Sequence, residues 1–156
     1  MPDAGLDDRM MARAIELARE AEQIGEVPIG AVVYDGQGRV LGEGFNRRET
    51  DDDPLAHAEV LAIRAAAKLL GDWRLEGCSL AVTLEPCPMC AGAIVNSRID
   101  RVIYGASDPK AGAVRSLYEL LADDRLNHHV GEIVAGVRED ECAQLLRAFF
   151  RKLRAK

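Results

Sequence analysis

Four cysteines in 156 residues, Cys78, Cys87, Cys90 and Cys142, are too few and too unevenly spaced for a disulfide framework. The opening residues, MPDAGLDDRMMARA, hold no apolar core of a secretory signal, and no apolar run approaches the roughly 18 residues of a membrane span. The expectation is a cytoplasmic protein with no membrane partner, in a reducing compartment where a CxxC pair reads as metal or redox chemistry. Repeats, low-complexity tracts and linker-like stretches are lacking too, so residues 1–156 are expected to form a single domain. Positive charge is also in deficit. Twenty Lys and Arg against 26 Asp and Glu leave a formal net charge of −6. That argues weakly against a general nucleic-acid binder, whose affinity comes from cations meeting phosphates. The deficit is uneven, because RAFFRKLRAK (147–156) carries five basic residues and no acidic one. Taken alone, that stretch reads as a solvated last helical turn, where cations suit the helix dipole.

What is present is an ordinary globular composition, 48% hydrophobic and 29% charged, with legible periodicity. Leu6, Met10, Ala14, Leu17 and Ala21 recur at helical spacing and predict a helix over residues 6–23. The apolar run 29–34, the DGQG turn at 35–38 and residues 39–45 predict a hairpin. After a polar loop, the alanine- and leucine-rich residues 56–70 predict a helix closed by Gly71. Further strands are expected at 79–83, 101–104 and 132–134, with helices at 88–96, 116–121 and 140–153. From residue 56 onward helices alternate with strands, which favours an α/β layered domain with part of its sheet parallel.

The chemistry concentrates in LEPCPMCAG (84–92). Proline is favoured at the first helical position, so Pro88 places Cys87 and Cys90 in the first turn of a helix, three residues apart on one face. The exposed N–H groups and positive dipole end there favour thiolates, the form that binds metal and also the form that does redox chemistry. LAHAE (55–59), just after Pro54, separates the two readings. In mid-helix His57 and Glu59 would point roughly 200° apart, but at a helix start both side chains can reach one point beyond its end. One imidazole and two thiolates suit zinc, and three protein ligands leave the fourth position open, as in catalytic rather than structural sites. Zinc lowers the pKa of a bound water from 15.7 toward roughly 7, and Glu59, not itself a ligand, is placed to move that water's proton.

HAE (57–59) followed by PCPMC (86–90) matches the H-x-E…P-C-x-x-C signature of zinc nucleobase deaminases. Longer blocks are similar to the bacterial tRNA-specific adenosine deaminases, within the cytidine and deoxycytidylate deaminase-like superfamily. They are EVPIGAV (26–32), GEGFNR (42–47), DPLAHAEV (53–60), the run from 80 to 113, SLYELL (116–121), NHH (127–129) and ECAQLLRAFF (141–150). The resemblance implies a three-layer α/β/α fold around a central mixed sheet of about five strands. It implies one zinc on His57, Cys87 and Cys90, with Glu59 as the catalytic proton shuttle. It implies hydrolysis of adenosine to inosine at the first anticodon, or wobble, position of a tRNA, typically an arginine tRNA. By the same resemblance Asn46 hydrogen-bonds the base, Val27, Pro28 and Ile29 wall the pocket, and Asp108 and Lys110 meet anticodon nucleotides. Arg47, Arg48, Arg151 and Lys152 become candidates for RNA contact, and the family is a homodimer whose subunits share the tRNA surface.

Blander readings stand beside these. A redox pair at Cys87 and Cys90 leaves His57 and Glu59 without a role. A zinc site closed by Cys78 or another histidine leaves Glu59 idle. Cys78 and Cys142 read as core thiols, and His128 and His129 as surface or structural residues. The rival inside the fold is a free-base guanine or cytosine deaminase, because the zinc chemistry is shared. From another class, a noncatalytic zinc-stabilised RNA-binding module predicts metal and RNA but no ammonia release.

Overall fold

The computed structural model describes residues 4–155. Along the chain run α1 (Ala4–Gln23), β1 (Gly30–Tyr34), β2 (Val40–Phe45), α2 (Ala58–Leu70), β3 (Ser79–Leu84), α3 (Pro88–Asn96), β4 (Arg101–Ala106), a 3₁₀ turn (Leu120–Ala122), β5 (Glu132–Ala135) and α4 (Glu139–Arg154). The strands form one mixed sheet in the order β2-β1-β3-β4-β5. β1 pairs antiparallel with both β2 and β3, while β3, β4 and β5 run parallel. This is the expected α/β/α architecture. The β1–β2 hairpin turns where the Asp35 carboxylate accepts the N–H groups of Gln37 and Arg39, and where Gly38 takes φ +84°, a conformation that suits glycine.

Alternate residues of the central strands feed two cores, as the period of a strand requires. Ala31, Val33, Leu80, Val82, Val102 and Tyr104 pack with α2 and α3 on one face. Val32, Tyr34, Ala81 and Ile103 pack with α1 and Cys142 of α4 on the other. The outer end of the second core is fixed by a partly buried polar knot. Arg101 grips Asp7 with two hydrogen bonds of 3.2 and 2.9 Å, the Tyr34 hydroxyl donates to the same carboxylate at 2.9 Å, and Arg101 also meets Glu132 and Ser79. Cys78 and Cys142 are buried thiols, as expected.

Two expectations need correction. α2 begins at Ala58, not residue 56, because residues 53–57 are still turning: Ala56 N–H bonds Asp53 O and His57 N–H bonds Leu55 O. Residues 116–121 do not form a helix. The N–H groups of Val114, Arg115 and Ser116 are taken by the buried carboxylate of Glu85, and only Leu120–Ala122 closes a 3₁₀ turn. Among the described residues, no helix is long and apolar enough to cross a membrane.

The topology assembles a site. Since β1 is antiparallel to its neighbours, its start lies beside the ends of β2 and β3, and β4, parallel to β3, ends at the same edge, so residues 27–29, Asn46, residues 85–87 and Asp108 share one edge of the sheet. α2 is held close to that edge by small residues. A Cβ at Gly44 would stand 2.5 Å from the carbonyl oxygen of Ala58, in the first turn of α2, and one at Gly42 would stand 2.3 Å from that of Ala62. Gly44→Ala is therefore expected to push the first turn of α2 off the sheet at a cost of about 1–3 kcal/mol. Calorimetry of the metal-loaded protein should show a melting temperature lowered by about 2–12 °C, and an unchanged value would contradict this packing.

Candidate active site

Two residues stand just before helices and have extended backbone: His57 ahead of α2 (φ −81°, ψ 152°) and Cys87 ahead of α3 (φ −75°, ψ 173°). Pro88 occupies the first turn of α3, and neither His57 nor Cys87 spends its side chain on capping. Both side chains are free to reach past their helix ends. His57 Nδ1 lies 3.7 Å from the Cys87 sulfur and 3.5 Å from that of Cys90. All three donor atoms fall within 4.8 Å of one another, and Cys78, His128 and His129 are outside the group. Tetrahedral zinc, with bonds of about 2.3 Å to sulfur and 2.0–2.1 Å to nitrogen, sets its nitrogen and sulfur donors about 3.5–3.6 Å apart. The donor set fits zinc in both chemistry and spacing. His128 Nε2 instead donates to the Ile99 carbonyl at 2.8 Å.

Protonation at the cluster points the same way. Hydrogen bonding from Cys90 and from His57 holds the Cys87 thiol at about 4, against its burial. The partnership with Cys87, together with burial, pushes Cys90 above the ordinary thiol range. His57 is raised by its hydrogen bond to Cys87. The group thus prefers one thiolate and one thiol until a cation replaces the proton, which is how thiolate sites couple metal uptake to proton release. Glu59 is 4% exposed beside them. Burial first, and the charge of Cys87 second, push its carboxyl to about 7 against the pull of its own backbone N–H and of His57.

Glu59, His57 and Cys87 line a pocket of about 190 Å³ together with Val27, Ile29, Asn46, Arg48 and Asp108. That is below the ~300–1,000 Å³ of pockets for drug-sized ligands and suits one nucleobase. Asn46 is 6% exposed, donating to the Val27 carbonyl at 3.3 Å and accepting the Arg48 N–H at 3.2 Å. A second cavity, of about 670 Å³, adjoins this pocket through shared walls at Val27, Leu84, Asp108 and Ala111. Its far side presents Lys110, Arg147, Arg151 and Arg154.

Some expected residues lie outside the base pocket. Pro28 is buried and lines neither cavity. Lys110 belongs to the outer groove, not the base pocket. Arg47 lines neither; it grips Asp51 with two bonds of 3.0 Å and lies 5.6 Å over the Phe45 ring. Lys152 is exposed and also lines neither, whereas Arg147, Arg151 and Arg154 of the same basic stretch line the groove. The spacing accounts for this, since 147, 151 and 154 share one face of a helix. Two buried acids carried no sequence signal. Glu26 accepts the N–H groups of Glu49 and Thr50 and the Thr50 hydroxyl, pinning the loop after Asn46. Glu85 does the same for the loop after β4.

The chain belongs to the cytidine and deoxycytidylate deaminase family, whose zinc-binding region matches residues 5–106. A more specific likeness lies within that family. The tRNA-specific adenosine deaminase of Bacillus subtilis (strain 168) is 53% identical over 150 residues, which are 96% of this chain and 92% of the relative. A solved structure from work on A-to-I editing by tRNA:A34 deaminases at the wobble position of transfer RNA matches with a TM-score of 0.83 and 45% identity, covering 88% of this chain and 99% of that one. A guanine deaminase from Bacillus subtilis matches with a TM-score of 0.61 and 44% identity, over 64% of each chain.

The fit of the cluster predicts about one zinc per chain in protein purified under reducing conditions. Elemental analysis should find that zinc lost in His57→Ala and in Cys87→Ala. Full zinc content in either variant would contradict the assignment.

Proposed function

We propose that this protein, as one domain spanning residues 1–156, hydrolyses adenosine to inosine at the wobble position of a tRNA, most readily an arginine tRNA, in the cytoplasm and as a homodimer. The observation that carries this reading is the juxtaposition of a buried carboxyl, Glu59, with three metal donors on the wall of a pocket sized for one base. His57, Cys87 and Cys90 hold the zinc, which when bound lowers the pKa of a water toward about 7. A carboxyl near neutrality can both accept a proton and return it, although a neighbouring cation pulls that value down. Glu59 takes the proton of the attacking water and delivers it to N1 of the adenine ring as oxygen adds at C6. Glu59 then takes the proton of the hydroxyl now on C6 and passes it to the amino group as the C6–N bond breaks. Water has been consumed and ammonia released. Asn46 is oriented by its two backbone partners to meet the base edge, and Val27 and Ile29 hold the ring.

The groove supports an RNA rather than a free base. A base alone would fill the smaller pocket and leave Lys110, Arg147, Arg151 and Arg154 without a purpose, whereas a flipped nucleotide brings flanking phosphates to them. Arg48 contacts RNA at the pocket mouth. In the acidic loop, Asp51 is neutralised by its pairing with Arg47, which lessens the charge that the loop turns toward RNA.

Offered an arginine-tRNA anticodon stem-loop, guanine and cytosine in parallel, the protein is expected to produce inosine and ammonia from the first alone. Xanthine without inosine would transfer the assignment to the guanine deaminases. Glu59→Ala should keep its zinc and lose about 10²–10⁴-fold in turnover, and full turnover would remove the proposed shuttle. Arg147→Ala with Arg151→Ala should flatten the salt dependence of stem-loop binding by about 0.7 in log–log slope for each lost phosphate contact, measured by fluorescence anisotropy. An unchanged slope would place the RNA elsewhere.

A further inference from the structure

Glu85 has no part in the chemistry above, yet it is 2% exposed and borders the base pocket. Among the described residues, every hydrogen-bond donor that reaches its carboxylate comes from one loop. These are the N–H groups of Asp108 at 3.0 Å, Val114 at 3.1 Å, Arg115 at 2.9 Å and Ser116 at 2.9 Å, with the Ser116 hydroxyl. Four backbone N–H groups and one hydroxyl thus converge on a single buried carboxylate. A fixed charge meeting this many donors is a strong tether.

What it tethers matters for the reaction. The loop leaving β4 carries Asp108 and Ala111, the walls shared by pocket and groove, and Lys110 of the groove. The approach is tight enough to demand glycine at position 112, where a Cβ would lie 2.3–2.5 Å from the Glu85 carboxylate atoms. Glu85 also directly precedes Pro86 and Cys87, and so ties the RNA-facing loop to the strand end that carries a metal donor. A tether here sets where the rim stands relative to the zinc group.

We propose that Glu85 is a positioning residue for the RNA substrate: its carboxylate fixes residues 108–116 at the height at which the rim grips the nucleotides flanking the target base. This inference rests on the RNA reading of the site. It separates from a purely structural role, because a fold anchor changes the fraction of active protein whereas a rim anchor changes how well RNA is seated.

The test is steady-state turnover of the arginine-tRNA anticodon stem-loop, normalised to bound zinc. Glu85→Gln keeps the shape but turns donors against a new amide N–H₂, and Gly112→Ala displaces the same loop from its other side. Each is expected to raise KM about tenfold, the scale of a sub-ångström misplacement, with kcat per zinc within about threefold of wild type. In a background lacking the rim side chains, Asp108→Ala with Lys110→Ala, Glu85→Gln should add less than about threefold in KM, because residues acting through one another do not add. An unchanged KM with a lowered active fraction in the variants that fold, or an undiminished KM effect in the double background, would overturn the proposal. No inosine from wild type would overturn it together with the RNA reading, so the two failures are distinguishable.

Discussion

Two helices begin at the same edge of one sheet, and the residue before each is extended rather than helical, so an imidazole and a sulfur point past the helix ends toward one another. The 3.5 and 3.7 Å separations of His57 from the two sulfurs follow from that arrangement. The positive ends of both helices favour thiolates, while two thiolates so close resist coexisting without a cation. Metal affinity, the water it activates and the carboxyl beside it all depend on this convergence. The antiparallel β1 is what permits it, because it brings the pocket wall at Val27 and Ile29 to the edge where β3 ends in Cys87.

The surroundings keep that convergence within tolerance. Gly42 and Gly44 let the alanine face of α2 press onto β2, which sets where His57 and Glu59 stand. Two buried carboxylates then secure the loop walls, Glu26 holding residues 49–50 after Asn46 and Glu85 holding residues 108–116. Both elements that wall the pocket opposite Glu59 are loops, and loops keep a site's geometry only when a rigid scaffold fixes them. Buried anions surrounded by N–H groups do this without competing for the metal.

Much of this was legible in the residues, for identifiable reasons. Pro88 marks the start of α3 because proline fits a first helical position, and Gly71 ends α2 in the left-handed conformation at φ +68°. Alternation after residue 56 foretold the parallel half of the sheet, and the family resemblance foretold the α/β/α layers. The motif residues His57, Glu59, Cys87 and Cys90 were legible because metal chemistry demands particular side chains at particular spacings. Where reading failed, tertiary structure had overridden local preference. Residues 116–121 have helical character by composition, but Leu117 N–H bonds the Gly112 carbonyl and Leu120 N–H that of Ala113, so the segment folds back on the loop that Glu85 holds instead of winding on itself. Composition does not tell Arg151 from Lys152; the helix face does, and the groove is lined by 147, 151 and 154.

A groove lined by Lys110, Arg147, Arg151 and Arg154 in a chain of net charge −6 also shows why bulk charge says little about local charge. The convergence of His57 with Cys87 and Cys90 can be tested at the metal itself by X-ray absorption at the zinc edge in the purified protein. Two sulfur neighbours at about 2.3 Å with two lighter ones near 2.0 Å, one exchanging when a small anion is added, is the expected first shell. A shell with three or four sulfurs, or one whose light neighbours never exchange, would mean a closed structural site and would contradict it.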